Sequence, residues 1–208
     1  RSAASMLVIV FDQGIKDKIA LFCNVANSHV LQNLDVKYLY EAPLAMEKEH
    51  LAEVACECLH LDCPEPDLAD WKKMVDDLYA ATHEVTISLV GKYTQLHDAY
   101  ISVVEALKHG GIPQHTTINI RWVDSEQVNA DNVADILNGV DGVLVPGGFG
   151  DRGIEGMIDA IHYARTNNIP FLGLCLGMQL SIVEYARNVV GYNDAHSVEL
   201  NPNTTHPV

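Results

Sequence analysis

The sequence predicts an α/β fold built on a mainly parallel, doubly wound sheet, preceded by the end of another domain. Three observations carry that expectation. From residue 84 onward, short apolar runs alternate with stretches of helical spacing, the pattern of strands joined by crossover helices. Glycines cluster where these runs end, at Gly91, at Gly147-Gly148 and at Gly173 and Gly177. The first 62 residues break the pattern and hold too few elements for a core of their own.

Along the chain, residues 16–24 fit a helix or a strand by periodicity alone, residues 30–35 read as a short strand, and residues 38–61 as a helix interrupted near Pro43. The segment Cys63-Pro-Glu-Pro-Asp-Leu-Ala-Asp has the prolines and acids of a linker, with Asp67 or Asp70 placed to cap a helix near Trp71. The chain therefore divides into residues 1–62, a linker at 63–83, and residues 84–208. Residues 85–91 (VTISLVG) form a β-branched run ended by glycine, and residues 98–109 carry Ile101, Val104 and Leu107 at helical spacing. Residues 116–123 alternate Thr117, Asn119 and Arg121 against Ile118, Ile120 and Trp122, as a strand does. Then follow a helix at 129–137, a buried strand at 142–145, a helix at 154–167, a buried strand at 170–174 and a helix at 178–190. Ligands of such sheets bind where strands end and helices begin, so the loops after Val90, Val145 and Leu174 are the places to look.

Bulk properties narrow the class. Hydrophobic residues make up 48 % and charged residues 20 %, as in a folded globular chain. A net charge of −15 advertises neither a nucleic-acid face nor attraction to an anionic membrane. The runs at 6–11 and 19–23 are too short to span a bilayer, and no signal pattern opens the chain. Five cysteines, an odd number, fit a reducing compartment, so a cytoplasmic location is expected.

The sharpest motif is Gly173-Leu174-Cys175-Leu176-Gly177, between a buried strand and an amphipathic helix. A nucleophile on such a turn is presented by a strained backbone, and flanking glycines remove side chains that would clash. The helix that follows points its N-terminus at the sulfur, a position that favours thiolate, and the Leu176 amide would face a developing oxyanion. Most cysteines are simply small buried hydrophobes. The combination of strand, Gly-x-Cys-x-Gly and helix argues against that here. A second motif, Pro146-Gly147-Gly148-Phe149-Gly150-Asp151-Arg152-Gly153, also follows a strand and can offer free amides to an anion. It does not match G-x-x-x-x-G-K-[ST], so it is no triphosphate cradle; paired with the cysteine turn it reads as the second half of an oxyanion hole.

VLVPGGFGDRGIEGM followed by FLGLCLGMQLSIVEYARNV resembles the class I glutamine amidotransferase domain of CTP synthases, a flavodoxin/Rossmann-like fold. The likeness extends to VGKY (Val90 to Tyr93), DAYISVVEALKHGG (Asp98 to Gly111) and KIALFCNV (Lys18 to Val25), and the bacterial type fits best. The resemblance implies a ligase that aminates UTP to CTP with ATP, using ammonia from glutamine, and an upstream half that is the tail of an α/β synthetase domain. It further implies magnesium, activation by GTP and a homotetramer. Carried over by position, Cys175 is the glutaminase nucleophile. Gly148, Leu176, Gly177, Met178, Gln179 and Glu199 bind glutamine, with Glu199 on the substrate ammonium. Phe149 and Arg152 belong to the GTP response and the ammonia path. Lys18 lies at the UTP and CTP site, and Leu34, Asp35 and Val36 around the ATP adenine. No metal ligand is assigned.

Two departures stand out. The family's Asn-Ser-Thr-Glu is here His196-Ser197-Val198-Glu199, so the local hydrogen bonding must differ, and Arg1 to Asp12 do not align with the family's nucleotide-binding strand. A glutaminase cysteine also needs a histidine base oriented by a carboxylate. The family's pair lies far downstream, whereas 33 residues follow Cys175, and His206 matches another segment. The P-loop and magnesium-binding acids would precede Arg1. The expectation is a fragment of a larger enzyme, with little glutaminase activity alone.

Cys56, Cys58, His60 and Cys63 could suggest zinc, but Cys56 and Cys58 would point about 200° apart on a helix. Cys58 is expected on the packed face with Val54 and Leu61; His97 and His109 carry little catalytic claim. Two rival functions remain. A different class I amidotransferase or related cysteine hydrolase would keep Cys175 but has no reason to carry KIALFCNV. A silent scaffold has no reason to keep Cys175, Gly148, Gln179 and Glu199 together.

Overall fold

The computed structural model describes residues 13–208, so the unaligned stretch Arg1 to Asp12 and the run at 6–11 lie outside the described residues. The chain divides between Tyr79 and Ala80 into two compact units.

The first unit contains α1 (Gln13–Cys23), α2 (Ala42–Lys48), α3 (Leu51–Leu59) and α4 (Ala69–Tyr79). Residues 16–24, ambiguous by periodicity, are helical. Residues 30–35 are not the expected strand. A strand needs a ladder to pair its backbone groups, and this unit offers none among the described residues. The Gln32 N–H turns instead to the Glu49 carboxylate at 3.3 Å, which also accepts from the Gln32 amide and from Lys16 Nζ, each at 2.9 Å. The lysine and glutamine hydrogen bonds hold the Glu49 carboxyl down at about 2. The helix break is not at Pro43, which lies in the first turn of α2, where no intrahelical N–H is needed. It falls after α2, where His50 adopts φ 63°. Cys58 is exposed rather than packed. The half-buried stripe of α3 runs through Ala52, Ala55 and Cys56, and His60 turns left-handed, so Leu61 leaves the helical register. Asp67 accepts the Ala69 N–H at 3.0 Å at the start of α4.

The second unit runs β1 (His83–Gly91), α5 (Ile101–Gly111), β2 (Thr116–Asp124), α6 (Val133–Ile136), β3 (Gly142–Val145), α7 (Ile154–Thr166), β4 (Phe171–Gly173) and α8 (Leu176–Tyr185). The sheet order is β2-β1-β3-β4, with every pairing parallel. The chain steps outward from β1 to β2 and then returns past β1 to β3, so the sheet is doubly wound with its switch point between β1 and β3. Alternating side chains load both faces. Val90, Val123, Val143 and Val145 pack with Met157, Ile161, Leu180 and Val183 of α7 and α8, while Leu89 and Leu144 pack with Val103, Val104 and Leu107 of α5.

Two helices differ from expectation. The helix expected at 129–137 shrinks to one turn, because the Asn129 side chain accepts the N–H groups of Asp131 (3.0 Å) and Asn132 (3.1 Å) in a competing local turn. The helix expected at 178–190 starts earlier, at Leu176, and ends in a π turn at Ala186–Val190. Among the described residues no helix is long and apolar enough to cross a membrane.

One buried charge ties α7 to α8. Glu184, 1 % exposed, accepts from Arg165 Nη2 (2.8 Å) and Nε, from His162 Nδ1 (2.8 Å) and from Asn188 Nδ2 (3.1 Å). Burial pushes its carboxyl up, but the hydrogen bonds from Arg165, His162 and Asn188 outweigh that and hold it below the ordinary value. Removing Arg165 leaves this carboxylate buried with weaker partners, whereas removing Glu184 leaves an arginine that can reach water. Arg165→Met should therefore cost about 3 kcal/mol in urea unfolding, and Glu184→Met clearly less. Because the native carboxyl titrates low, its contribution is present above the ordinary glutamate value of about 4.3 and is lost as pH falls through the native value.

Candidate active site

Three turns gather at the carboxyl ends of the strands: residues 92–96 after β1, residues 146–153 after β3, and Leu174-Cys175 between β4 and α8. Cys175 has φ 52° and ψ −105°, a backbone conformation that costs a non-glycine residue about 1–3 kcal/mol. The surroundings hold it there. Leu174 N–H bonds the Val145 carbonyl at 2.9 Å, Gly177 N–H the Leu174 carbonyl at 3.0 Å, and Gln179 N–H the Cys175 carbonyl at 3.1 Å. The two flanking glycines are required by contact: a Cβ on Gly173 would lie 2.5 Å from the Gly177 carbonyl carbon, and one on Gly177 would overlap the Val145 carbonyl. The thiol of Cys175 is left exposed. Beside it, the Leu176 amide belongs to the first turn of α8, whose N–H groups have no intrahelical acceptor.

The glycine loop approaches from β3. A Cβ on Gly147 would sit 3.5 Å from Cys175 Cβ, so the loop main chain runs against Cys175. Its shape is set by Lys92, which lies in the VGKY segment but is not among the site residues expected from the sequence. Lys92 is buried, and its ammonium donates to the carbonyls of Phe149 (3.0 Å) and Gly150. Burial, and secondarily Arg152, push the Lys92 ammonium below the ordinary lysine value, with Asp151 opposing. The available signal was a charged residue directly after an apolar strand, in a fold whose ligands bind at that end.

A cavity of about 50 Å³ lies between these turns, lined by Gly148, Phe149, Gly150, Cys175, Leu176, Gln179, Glu199 and Leu200. Six residues singled out in the sequence thus meet: Gly148, Phe149, Cys175, Leu176, Gln179 and Glu199. Gly177 lies behind the cavity against Val145, and the Met178 side chain is exposed. Arg152 stands outside it, paired with Glu126, bonded to the Lys92 carbonyl at 3.1 Å and set 5.8 Å above the Tyr93 ring.

The His196-Ser197-Val198-Glu199 segment is organised by its own hydrogen bonds. His196 Nδ1 accepts the Ser197 N–H at 3.0 Å, Ser197 Oγ accepts the Glu199 N–H at 3.3 Å, and the Ser197 carbonyl accepts from Leu200 and Asn201. The accepting role of Nδ1 requires a neutral ring, and burial and the nearby Arg187 both lower the proton affinity of His196.

In the other unit, Lys18 is exposed on α1. Leu34, Asp35 and Val36 line a cavity of about 390 Å³ with Gln32, Leu44 and Ala45. Among the described residues no three His, Cys, Asp or Glu side chains are gathered to hold a metal ion.

A family model described as glutamine amidotransferase class-I matches residues 95–207, and one described as CTP synthase N-terminus matches residues 7–61. CTP synthase of Clostridium perfringens (strain SM101 / Type A) is 57 % identical over 196 residues, covering 94 % of this chain and 37 % of the relative. That of Halalkalibacterium halodurans is 55 % identical over 194 residues, covering 93 % and 36 %. The chain thus spans little more than a third of the length of the curated relatives it matches. Among solved structures, the glutaminase domain of Trypanosoma brucei CTPS with bound acivicin aligns with TM-score 0.57 at 46 % identity, covering 60 % of this chain and 48 % of that one.

The contact between α8 and β3 makes a test. Gly177→Ala must push the α8 turn away from Val145 and should cost about 2–3 kcal/mol in thermal unfolding. Gly110→Ala, in α5 with open space around it, should be neutral or stabilise by up to about 1 kcal/mol.

Proposed function

The chain belongs to the class I glutamine amidotransferase family, and from that premise we propose that its parent protein is a CTP synthase, in which these residues hydrolyse glutamine and the ammonia aminates UTP. The observation that carries the proposal is the cavity shared by Cys175, Gly148, Leu176, Gln179 and Glu199, together with the second family match upstream of it.

In this reading the Cys175 sulfur attacks the side-chain carbonyl carbon of glutamine, and the carbonyl π pair moves onto oxygen. The amides of Gly148 and Leu176 stabilise that oxyanion. Collapse of the tetrahedral intermediate expels ammonia, protonated by the family's downstream histidine, and leaves a glutamyl thioester that water hydrolyses. Glu199 holds the substrate ammonium, and Gln179 lines the same cavity. Lys92 is a positioning residue: its ammonium fixes the carbonyls of residues 149 and 150 and so keeps the loop amides turned toward Cys175.

The remaining assignments follow the family. Lys18 serves the UTP and CTP site. Leu34, Asp35 and Val36 serve the ATP adenine, for which the cavity they line has room for a flat ring. Magnesium would accompany ATP. No described cluster of His, Cys, Asp and Glu fits a metal ion, so no step here runs through it. GTP would act through Phe149 and Arg152. The enzyme would work in the cytoplasm as a homotetramer, with no nucleic-acid or membrane partner. A rival class I amidotransferase would share Cys175 but not the upstream match.

Two experiments on the full-length protein test this. An electrophilic glutamine analogue should alkylate Cys175 and abolish glutamine-dependent CTP formation while sparing ammonia-dependent formation; loss of both together contradicts the division of labour. Lys92→Met should lower kcat for glutamine hydrolysis by about a hundredfold with little change in KM, as loss of an ordered oxyanion donor does. Unchanged kcat would remove Lys92 from the machinery.

A further inference from the structure

Glu199, an exposed residue, lines the cavity beside Cys175, and no hydrogen bond to its carboxylate is present among the described residues. Its position must come from the backbone that carries it. That backbone is a loop, residues 197–205, with no helix or strand of its own.

The loop is closed at its neck by one carboxylate. Asp194 accepts from the Thr205 N–H (2.7 Å), from the Thr205 hydroxyl (2.6 Å) and from His206 Nδ1, while its own carbonyl accepts from the Thr204 hydroxyl at 2.7 Å. His196 N–H bonds the His206 carbonyl at 3.3 Å, and Val208 N–H bonds the His196 carbonyl at 3.2 Å. The Tyr192 ring stacks on His206 at 4.3 Å and 14°. The incoming strand of the neck is tied to the body of the domain: Arg187 Nε donates to the Ala195 carbonyl at 2.8 Å and its guanidinium pairs with Glu155 of α7. Among the described residues, the outgoing segment is held through Asp194, His196 and the Tyr192 ring.

We infer that Asp194 and His206 form a clasp that sets where Glu199 stands in the cavity, and that this clasp governs how tightly the ammonium group of glutamine is held. Both are positioning residues, acting through the loop rather than on the substrate. The inference rests on the glutaminase reading of the Cys175 cavity. Thr205 and then His206 donate to the Asp194 carboxyl and hold it well below the usual carboxylate range, as a carboxylate acting as an acceptor hub requires. The chemistry of the clasp also specifies its replacement: an asparagine at 206 places an amide donor where Nδ1 stands, and an alanine places none.

The test is steady-state glutamine hydrolysis by the full-length protein, with ammonia-supported turnover measured alongside. His206→Ala and Asp194→Asn should each raise KM for glutamine about tenfold, change kcat less than threefold and leave ammonia-supported turnover unchanged. His206→Asn should return KM to within about threefold of the parent. Thr205→Val, a milder cut in the same clasp, should raise KM by a smaller factor, and it carries the test should His206→Ala prove too unstable to assay. An unchanged KM in these variants overturns the inference, as does a fall in kcat at constant KM or an equal KM rise in His206→Asn and His206→Ala. A parent protein that hydrolyses no glutamine brings down the underlying reading, and the inference with it.

Discussion

The approach of α8 to the end of β3 is the contact on which the site depends. Gly177 packs directly on the Val145 carbonyl, and Gly173 on the main chain of Gly177, at distances no side chain would allow. This draws the start of α8 down onto the sheet, so that the chain between β4 and α8 has only Leu174 and Cys175 in which to reverse. A turn so short forces Cys175 to positive φ, and the strain is supported by hydrogen bonds from Leu174 to Val145 and from Gly177 to Leu174. An exposed sulfur beside the Leu176 amide, at the first residue of α8, is the result. The strained residue and the exposed thiol coincide because the same close packing produces both.

The second requirement is that the neighbouring loop come to meet that sulfur, and here the switch point of the sheet does the work. Because β1 and β3 are adjacent while the chain departs from them in opposite directions, the residues following each strand face one crevice. Lys92 leaves β1 there and reaches the carbonyls of residues 149 and 150. A buried ammonium is costly unless its donors are used, and the glycine loop supplies the acceptors. The glycines that let the loop run close to Cys175 also leave it flexible, so a fixed cation inside it has a mechanical purpose.

Glu199 reaches the same cavity by a different route. It is carried neither by the sheet nor by α8, but by a loop whose neck is closed with polar side chains. The cavity therefore combines a rigid part, set by packing of α8 on β3, with a part set by hydrogen bonds that local sequence changes can retune. His196 falls in this second part, and Ser197 caps the turn that carries Glu199.

What the sequence determined by itself was whatever follows from local pattern. Apolar runs such as 85–91 and 142–145 can only be buried strands in a chain that alternates them with helical spacing, and Gly173-Leu174-Cys175-Leu176-Gly177 names its own turn because only glycine tolerates the contacts on either side. Where local signals competed, they misled: Asn129 capped away most of a helix, residues 30–35 found no ladder to join, and the periodicity that put Cys58 on a packed face ended when His60 turned left-handed. Tertiary structure alone decided that Lys92 serves a loop whose acceptors lie more than fifty residues away, and that Asp194 closes on residues 205 and 206. These are hydrogen bonds between side chains and distant backbone. They leave no period in the sequence, since any nearby lysine or aspartate looks the same until the sheet order brings its acceptor or donor within reach.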